Sequence, residues 1–282
     1  MTNRFQQLPR FLSERARFDT LGPAPALLAH PDWQTRCPWM LWMHGRTANK
    51  ELDPGRYTRW LRAGIAVCAI DLPAHGQRRD ARSDDPSHSI ELLLQAVGEI
   101  DAIVEALVSV ENARFDPSRM GVGGMSLGGM VALRRLCEPH AFCCAAVDAS
   151  CGALSELYFP ADGSPPPWDV AHRPDEVRRA DPVQHLTGWR PIPLLAVHSR
   201  ADRIVPWKTQ EHFLNRLRAH YQTLGASPDM VEIVTFERTG APDEHIGFGQ
   251  FSNQAKNAQV EFLKRHMHPD ALPDQPALTA RS

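Results

Sequence analysis

Residues 124–129 read Gly124-Met125-Ser126-Leu127-Gly128-Gly129. Before them, residues 119–124 form a short run with an apolar centre; after them, 127–137 are helical in character and Pro139 marks the end. A serine between a strand and a helix sits on a very sharp turn. Side chains two positions to either side would clash, and both positions hold glycine. Such a turn strains the serine backbone and holds the hydroxyl out at a helix N-terminus, where peptide dipoles favour developing negative charge. Glycine and serine are common, so the pentapeptide alone is weak. In this context Ser126 reads as a nucleophile rather than as part of a structural turn.

A serine hydroxyl needs a base, and the base needs an orienting carboxylate. After this kind of elbow the acid comes first and the histidine last. Residues 194–198 predict a strand that runs into Ser199-Arg200-Ala201-Asp202-Arg203-Ile204-Val205-Pro206, placing Asp202 in a loop before a Pro-started helix. His245 follows in the polar stretch Gly240-Ala241-Pro242-Asp243-Glu244, between the last expected strand and the last helix. Asp202 and His245 are therefore the expected acid and base. Asp148 ends an earlier strand and is a rival acid with no supporting pattern, while Asp243 and Glu244 read as solvated or loop-capping. His198 reads as a satisfied core histidine, and His212, His220, His266 and His268 as surface residues.

Acyl transfer also calls for two donors to an oxyanion. The backbone N–H of Leu127 is one expected donor. The loop Met43-His44-Gly45-Arg46 supplies the other, with the N–H of Arg46 preferred over that of Gly45.

Around these loops the chain alternates strands and helices. Strands are expected at 37–43, 65–70, 119–124, 143–147, 193–198 and 230–236, and helices at 57–63, 89–110, 127–137, 207–224 and 248–266. That order implies a mostly parallel sheet covered on both faces, with ligands at the carboxyl ends of the strands. Residues 150–191 carry seven prolines and little periodicity, and read as a cap inserted into one domain. Their aromatics Tyr158, Phe159, Trp168 and Trp189 either line a pocket or pack the cap down. The tail from Pro269 reads as frayed.

Composition excludes other classes. With 31 Lys and Arg against 33 Asp and Glu, the net charge of −2 leaves no excess for nucleic acid or anionic lipid. The 43% hydrophobic content over 282 residues excludes a disordered chain. No apolar run approaches the roughly 20 residues of a membrane helix, and residues 1–18 contain no secretory h-region. The six cysteines lack any CxxC and sit mostly in apolar runs, which points to reduced thiols in the cytoplasm. No HExxH, paired CxxC or GxxxxGK[ST] is present, so neither metal nor cofactor is expected. Gly121-Val122-Gly123-Gly124 lacks the βαβ context of a dinucleotide site.

Taken together, HGR at 44–46, DLPAHGQR at 71–78, GMSLGG at 124–129, HSRADRIVP at 198–206 and DEH at 243–245 resemble the α/β-hydrolase superfamily. The chain is most similar to small bacterial esterases related to the dienelactone hydrolase and prolyl oligopeptidase groups. The resemblance spans roughly residues 37–267 and implies an α/β-hydrolase fold, a triad of Ser126, Asp202 and His245, and oxyanion donors near Arg46 and Leu127. It also implies that the 71–76 turn is structural, which leaves His75 outside catalysis. Dienelactone hydrolases use cysteine where Ser126 stands, and the oligopeptidases' propeller domain is not expected. The expected activity is hydrolysis of small-molecule carboxylic esters. An aminopeptidase-like amide hydrolase, or a non-catalytic binding protein of the same fold, is the alternative. Oligomeric state and acyl preference are not legible.

Overall fold

The computed structural model describes residues 8–267. Eight strands form one sheet: β1 (Ala16–Leu21), β2 (Ala24–Ala29), β3 (Cys37–Met43), β4 (Ala66–Ile70), β5 (Phe115–Met125), β6 (Cys144–Asp148), β7 (Leu194–Ser199) and β8 (Val231–Phe236). The helices are α1 (Arg10–Ser13), α2 (Pro54–Arg62), α3 (Ser89–Glu111), α4 (Leu127–Arg135), α5 (Ser155–Tyr158), α6 (Pro174–Ala180), α7 (Trp207–Thr223) and α8 (Ser252–Met267).

The strand order is β1-β2-β4-β3-β5-β6-β7-β8. From β4 to β8 all neighbours are parallel, as the alternation of strands and helices predicts. This is the α/β-hydrolase fold. Both faces are covered. Trp39, Leu41 and Met43 of β3 join the core under α3, α4 and α7, while Met40 and Trp42 point to the core under α2 and α8. Strands buried on both sides read as continuous apolar runs, which is why residues 37–43 were legible. Helix α3 buries Ile90, Leu93, Val97, Ile100 and Leu107 along one stripe, at the spacing that predicted it.

The sheet does not begin at residue 37. A hairpin of β1 and β2 extends it, pairing antiparallel with β4 through Ala26–Ala29. Its turn uses Gly22 at φ +55°, and its strands are rich in alanine and leucine rather than β-branched residues. Weak strand propensity concealed it. The last helix starts at Ser252 instead of 248, because Gly247 (φ +75°), Phe248 (φ +61°) and Gly249 (φ +45°) are all left-handed. The tail from Pro269 and His268 lies outside the described residues.

The direction of strand addition reverses between β3 and β5. The chain moves from β3 outward to β4, then returns to place β5 on the other side of β3. Such a switch point opens a crevice at the carboxyl ends of the strands. Met43, the last residue of β3, is in register with Gly124, so the loop at 44–46 and Ser126 emerge side by side. Among the described residues, no helix is long and apolar enough to cross a membrane.

Candidate active site

Ser126 carries the expected strained backbone, at φ +50° and ψ −118°. A β-carbon on Gly124 would stand 2.4 Å from the carbonyl carbon of Gly128, and one on Gly128 would stand 2.2 Å from the carbonyl oxygen of Met43. Neither position has room for a side chain. Gly129 is constrained as well: a β-carbon there would meet Ser150 Oγ at 2.6 Å. The turn is anchored to the sheet by the Ser126 N–H, which donates to the Asp148 carbonyl at 2.9 Å.

His245 closes on this serine. The Ser126 hydroxyl lies 2.9 Å from His245 Nε2, and His245 Nδ1 lies 2.8 Å from Asp202 Oδ2. With Nδ1 protonated, the imidazole donates to the carboxylate and presents a free lone pair to the hydroxyl. The other carboxylate oxygen of Asp202 accepts the N–H groups of Ile204 and Val205, both at 2.8 Å. All three residues are buried.

Two loops hold this line in place. Glu244 accepts from the Thr239 and Gly240 N–H groups, the Thr239 hydroxyl and the Ser199 hydroxyl, which pins the histidine loop to the end of β7. Those bonds to its charged form hold the carboxyl at about 2. Arg203 N–H donates to the Asp243 carbonyl at 3.0 Å, joining the acid and histidine loops directly. Glu244 is thus a loop cap, and exposed Asp243 pairs with Arg203 at 3.1 Å.

The rival acid is placed elsewhere. Asp148 is buried against the Arg56 guanidinium at 2.5 Å, and Arg56 also binds Asp53 and Gln259 while lying over the Trp42 ring. His198 is the residue that sequence reasoning undervalued. It donates Nε2–H to the Val205 carbonyl at 2.8 Å and stands 3.6 Å from Asp202. The spacing of His198, Asp202 and Val205 around one loop was the available signal. His75 donates Nδ1–H to the Pro73 carbonyl and packs beside His44. His212 bonds to Glu156, and His220, which is partly buried, bonds to the Trp189 carbonyl.

The loop after β3 is fixed by His44, which donates Nδ1–H to the Gly45 carbonyl and accepts the Leu72 N–H at Nε2. Burial pushes His44 down to about 4, so the ring is neutral. Gly45 packs against the elbow, where an added β-carbon would touch Ser126 Cβ at 3.5 Å. Among the described residues, the Arg46 and Leu127 N–H groups find no protein acceptor. Beside them opens a cleft of about 260 Å³, lined chiefly by Ile90, Leu93, Met130, Leu154, Tyr158 and Trp168. Its one charged wall residue is Arg46, whose guanidinium is tied to the Ser83 carbonyl and the Ser89 hydroxyl.

The aromatics of 150–191 divide between the two expected roles. Tyr158 and Trp168 line the cleft, whereas Trp189 is fully buried and donates to the Tyr221 hydroxyl at 2.9 Å. Phe159 is exposed. All six cysteines are free thiols. Among the described residues, no cluster of three His, Cys, Asp or Glu could hold a metal ion.

The sequence profile of the prolyl oligopeptidase family matches residues 60–270. The chain belongs to that family. It is therefore a serine hydrolase by family and a member of the α/β-hydrolase superfamily. Solved structures agree on the fold. A protein of Thermus thermophilus is 22% identical with a TM-score of 0.69, over 90% of this chain and 98% of its own. A thermophilic esterase from Thermogutta terrifontis is 17% identical with a TM-score of 0.66, over 95% and 99% of the two chains. The acylaminoacyl peptidase of Pyrococcus horikoshii is 16% identical with a TM-score of 0.66; 93% of this chain spans 43% of that peptidase. No curated protein matches the sequence.

Proposed function

We propose that this protein hydrolyses carboxylic esters of small molecules through an acyl-enzyme. The observation that carries the reading is the line Ser126 Oγ, His245 Nε2, His245 Nδ1, Asp202 Oδ2, joined at 2.9 and 2.8 Å. Ser126 Oγ bonds to the ester carbonyl carbon while its proton passes to His245 Nε2, and the carbonyl π electrons move onto oxygen. The Arg46 and Leu127 amides receive that oxyanion. As the carbonyl re-forms, the bond to the alcohol oxygen breaks and His245 returns its proton to that oxygen. Water then adds to the acyl carbon, giving one proton to His245; collapse releases the acid and restores the Ser126 hydroxyl. Asp202 orients the imidazole and stabilises its charged form throughout.

The cleft beside Ser126 supports an ester rather than an aminoacyl amide. Recognition of a free α-ammonium calls for carboxylates, and none lines the cleft; its charged residue is the cation Arg46. Leu154, Tyr158, Trp168 and Val170 come from residues 150–191, which supports a cap that shapes the acyl site within a single domain. Six free thiols support a reducing, cytoplasmic setting.

Matched substrates test this reading. The p-nitrophenyl ester of a short apolar acid should turn over, and the matching p-nitroanilide of an amino acid should turn over far more slowly. Faster cleavage of the aminoacyl anilide would move the protein to the amide-hydrolysing reading. Failure of both substrates, with no labelling by a fluorophosphonate, would favour a binding protein.

A further inference from the structure

A second cleft, of about 240 Å³, shares no wall residue with the first. Its walls include Gly45 and Met125, which flank Ser126, and Ile246 and Gly247, which follow His245. Leu52 and Ile246 form an exposed apolar rim, at 51% and 56% exposure, and Tyr57 lies deeper. The two charged residues of the wall neutralise one another, with Lys256 Nζ 3.1 Å from Asp53 Oδ1. The cleft thus offers apolar contact and no unpaired charge.

The chemistry of acyl transfer assigns the two clefts. In the tetrahedral intermediate the carbon carries the serine oxygen, the oxyanion, the acyl group and the leaving oxygen. The leaving oxygen must face His245 Nε2, because that atom returns the proton. Ile246 and Gly247, which follow His245, wall the second cleft and are absent from the wall of the first. The first cleft is lined instead by Arg46 and Leu127, the two proposed oxyanion donors, and by Met130 of α4.

On the ester-hydrolase reading above, we infer that the Leu52–Ile246 cleft binds the alcohol half of the substrate and selects a neutral, bulky apolar alcohol such as an arylalkyl group. The substrate is then bipartite, apolar on both sides of the scissile bond. Leu52 and Ile246 set specificity by covering the alcohol and take no part in the proton transfers.

Ethyl butyrate and benzyl butyrate test the assignment, since they share an acyl group and their alcohols are similar in acidity. Wild-type kcat/KM should favour the benzyl ester by on the order of tenfold, the scale of burying part of a ring. In Leu52→Asp and Ile246→Asp that ratio should fall toward one, while the ratio of benzyl butyrate to benzyl acetate keeps its wild-type value. Both positions are exposed, and circular dichroism confirms that the variants are folded. A wild-type ratio near one, a ratio insensitive to both substitutions, or a change in the acyl ratio instead would overturn the assignment while leaving the hydrolase reading intact. Turnover of neither ester would overturn both.

Discussion

His198 Nε2 stands 3.6 Å from Asp202 Oδ2, the same oxygen that receives the Nδ1–H of His245 at 2.8 Å. The ring spans the loop it belongs to, because Nε2–H donates to the Val205 carbonyl while the Val205 N–H donates back to Asp202. On the proposed mechanism, His198 is a positioning residue for Asp202. Replacing it with phenylalanine retains a ring but leaves the buried Val205 carbonyl without its donor, at a cost of about 1–3 kcal/mol. A shift of Asp202 by a fraction of an ångström should lower kcat by up to about 10²-fold with little change in KM. Steady-state kinetics and a urea midpoint on His198→Phe check this; wild-type kcat would remove the positioning role.

Asp148 at the end of β6 and Asp202 in the loop after β7 should separate cleanly. Asp202→Asn should lose on the order of 10³–10⁴-fold in kcat, since the amide no longer fixes the imidazole tautomer. Asp148→Asn should keep kcat within about tenfold yet lose roughly 3 kcal/mol of stability, because Arg56 is left with a broken buried pair. Measuring activity and urea midpoint on both variants decides the matter. The reverse pattern would transfer the acid role to Asp148.

Acid should weaken the fold before it protonates the bulk of the carboxylates. Burial holds His44 and His140 at about 4 and lowers His30, His75, His172 and His198 as well. A histidine held below its unfolded value contributes stability that is fully present above about pH 6.5 and is lost as pH falls toward the folded value. Asp148 and Asp181, raised by burial, act in the opposite sense, but two groups oppose six. The urea midpoint should therefore drop steadily between pH 6.5 and 4. A flat or rising midpoint across that window would contradict the burial argument.

Much of this was legible because the constraints were local. Gly124, Gly128 and Gly129 leave no room for a β-carbon, and a turn that tight has few sequence solutions. The doubly covered strands announced themselves as apolar runs. The loops of Asp202 and His245 were placed by strand and helix order, and the fold then brought together residues 43 and 119 positions apart. What escaped depends on distant packing. The β1–β2 hairpin is held by pairing with β4, not by its own propensity. Arg56 reaches across 92 residues to Asp148, a partnership that no spacing rule encodes. Within 150–191, only the packed chain could tell cleft-lining Tyr158 and Trp168 from core-filling Trp189.

The central claim is that Ser126 becomes covalently bonded during turnover. Intact-protein mass spectrometry after exposure to a fluorophosphonate tests it most directly, with peptide mapping to locate the adduct. One phosphonyl group should appear on Ser126, ester hydrolysis should disappear in step with it, and Ser126→Ala should take up no label and show no turnover while remaining folded. An unlabelled wild-type protein that still cleaves esters, or a label and activity that survive in Ser126→Ala, would contradict the account.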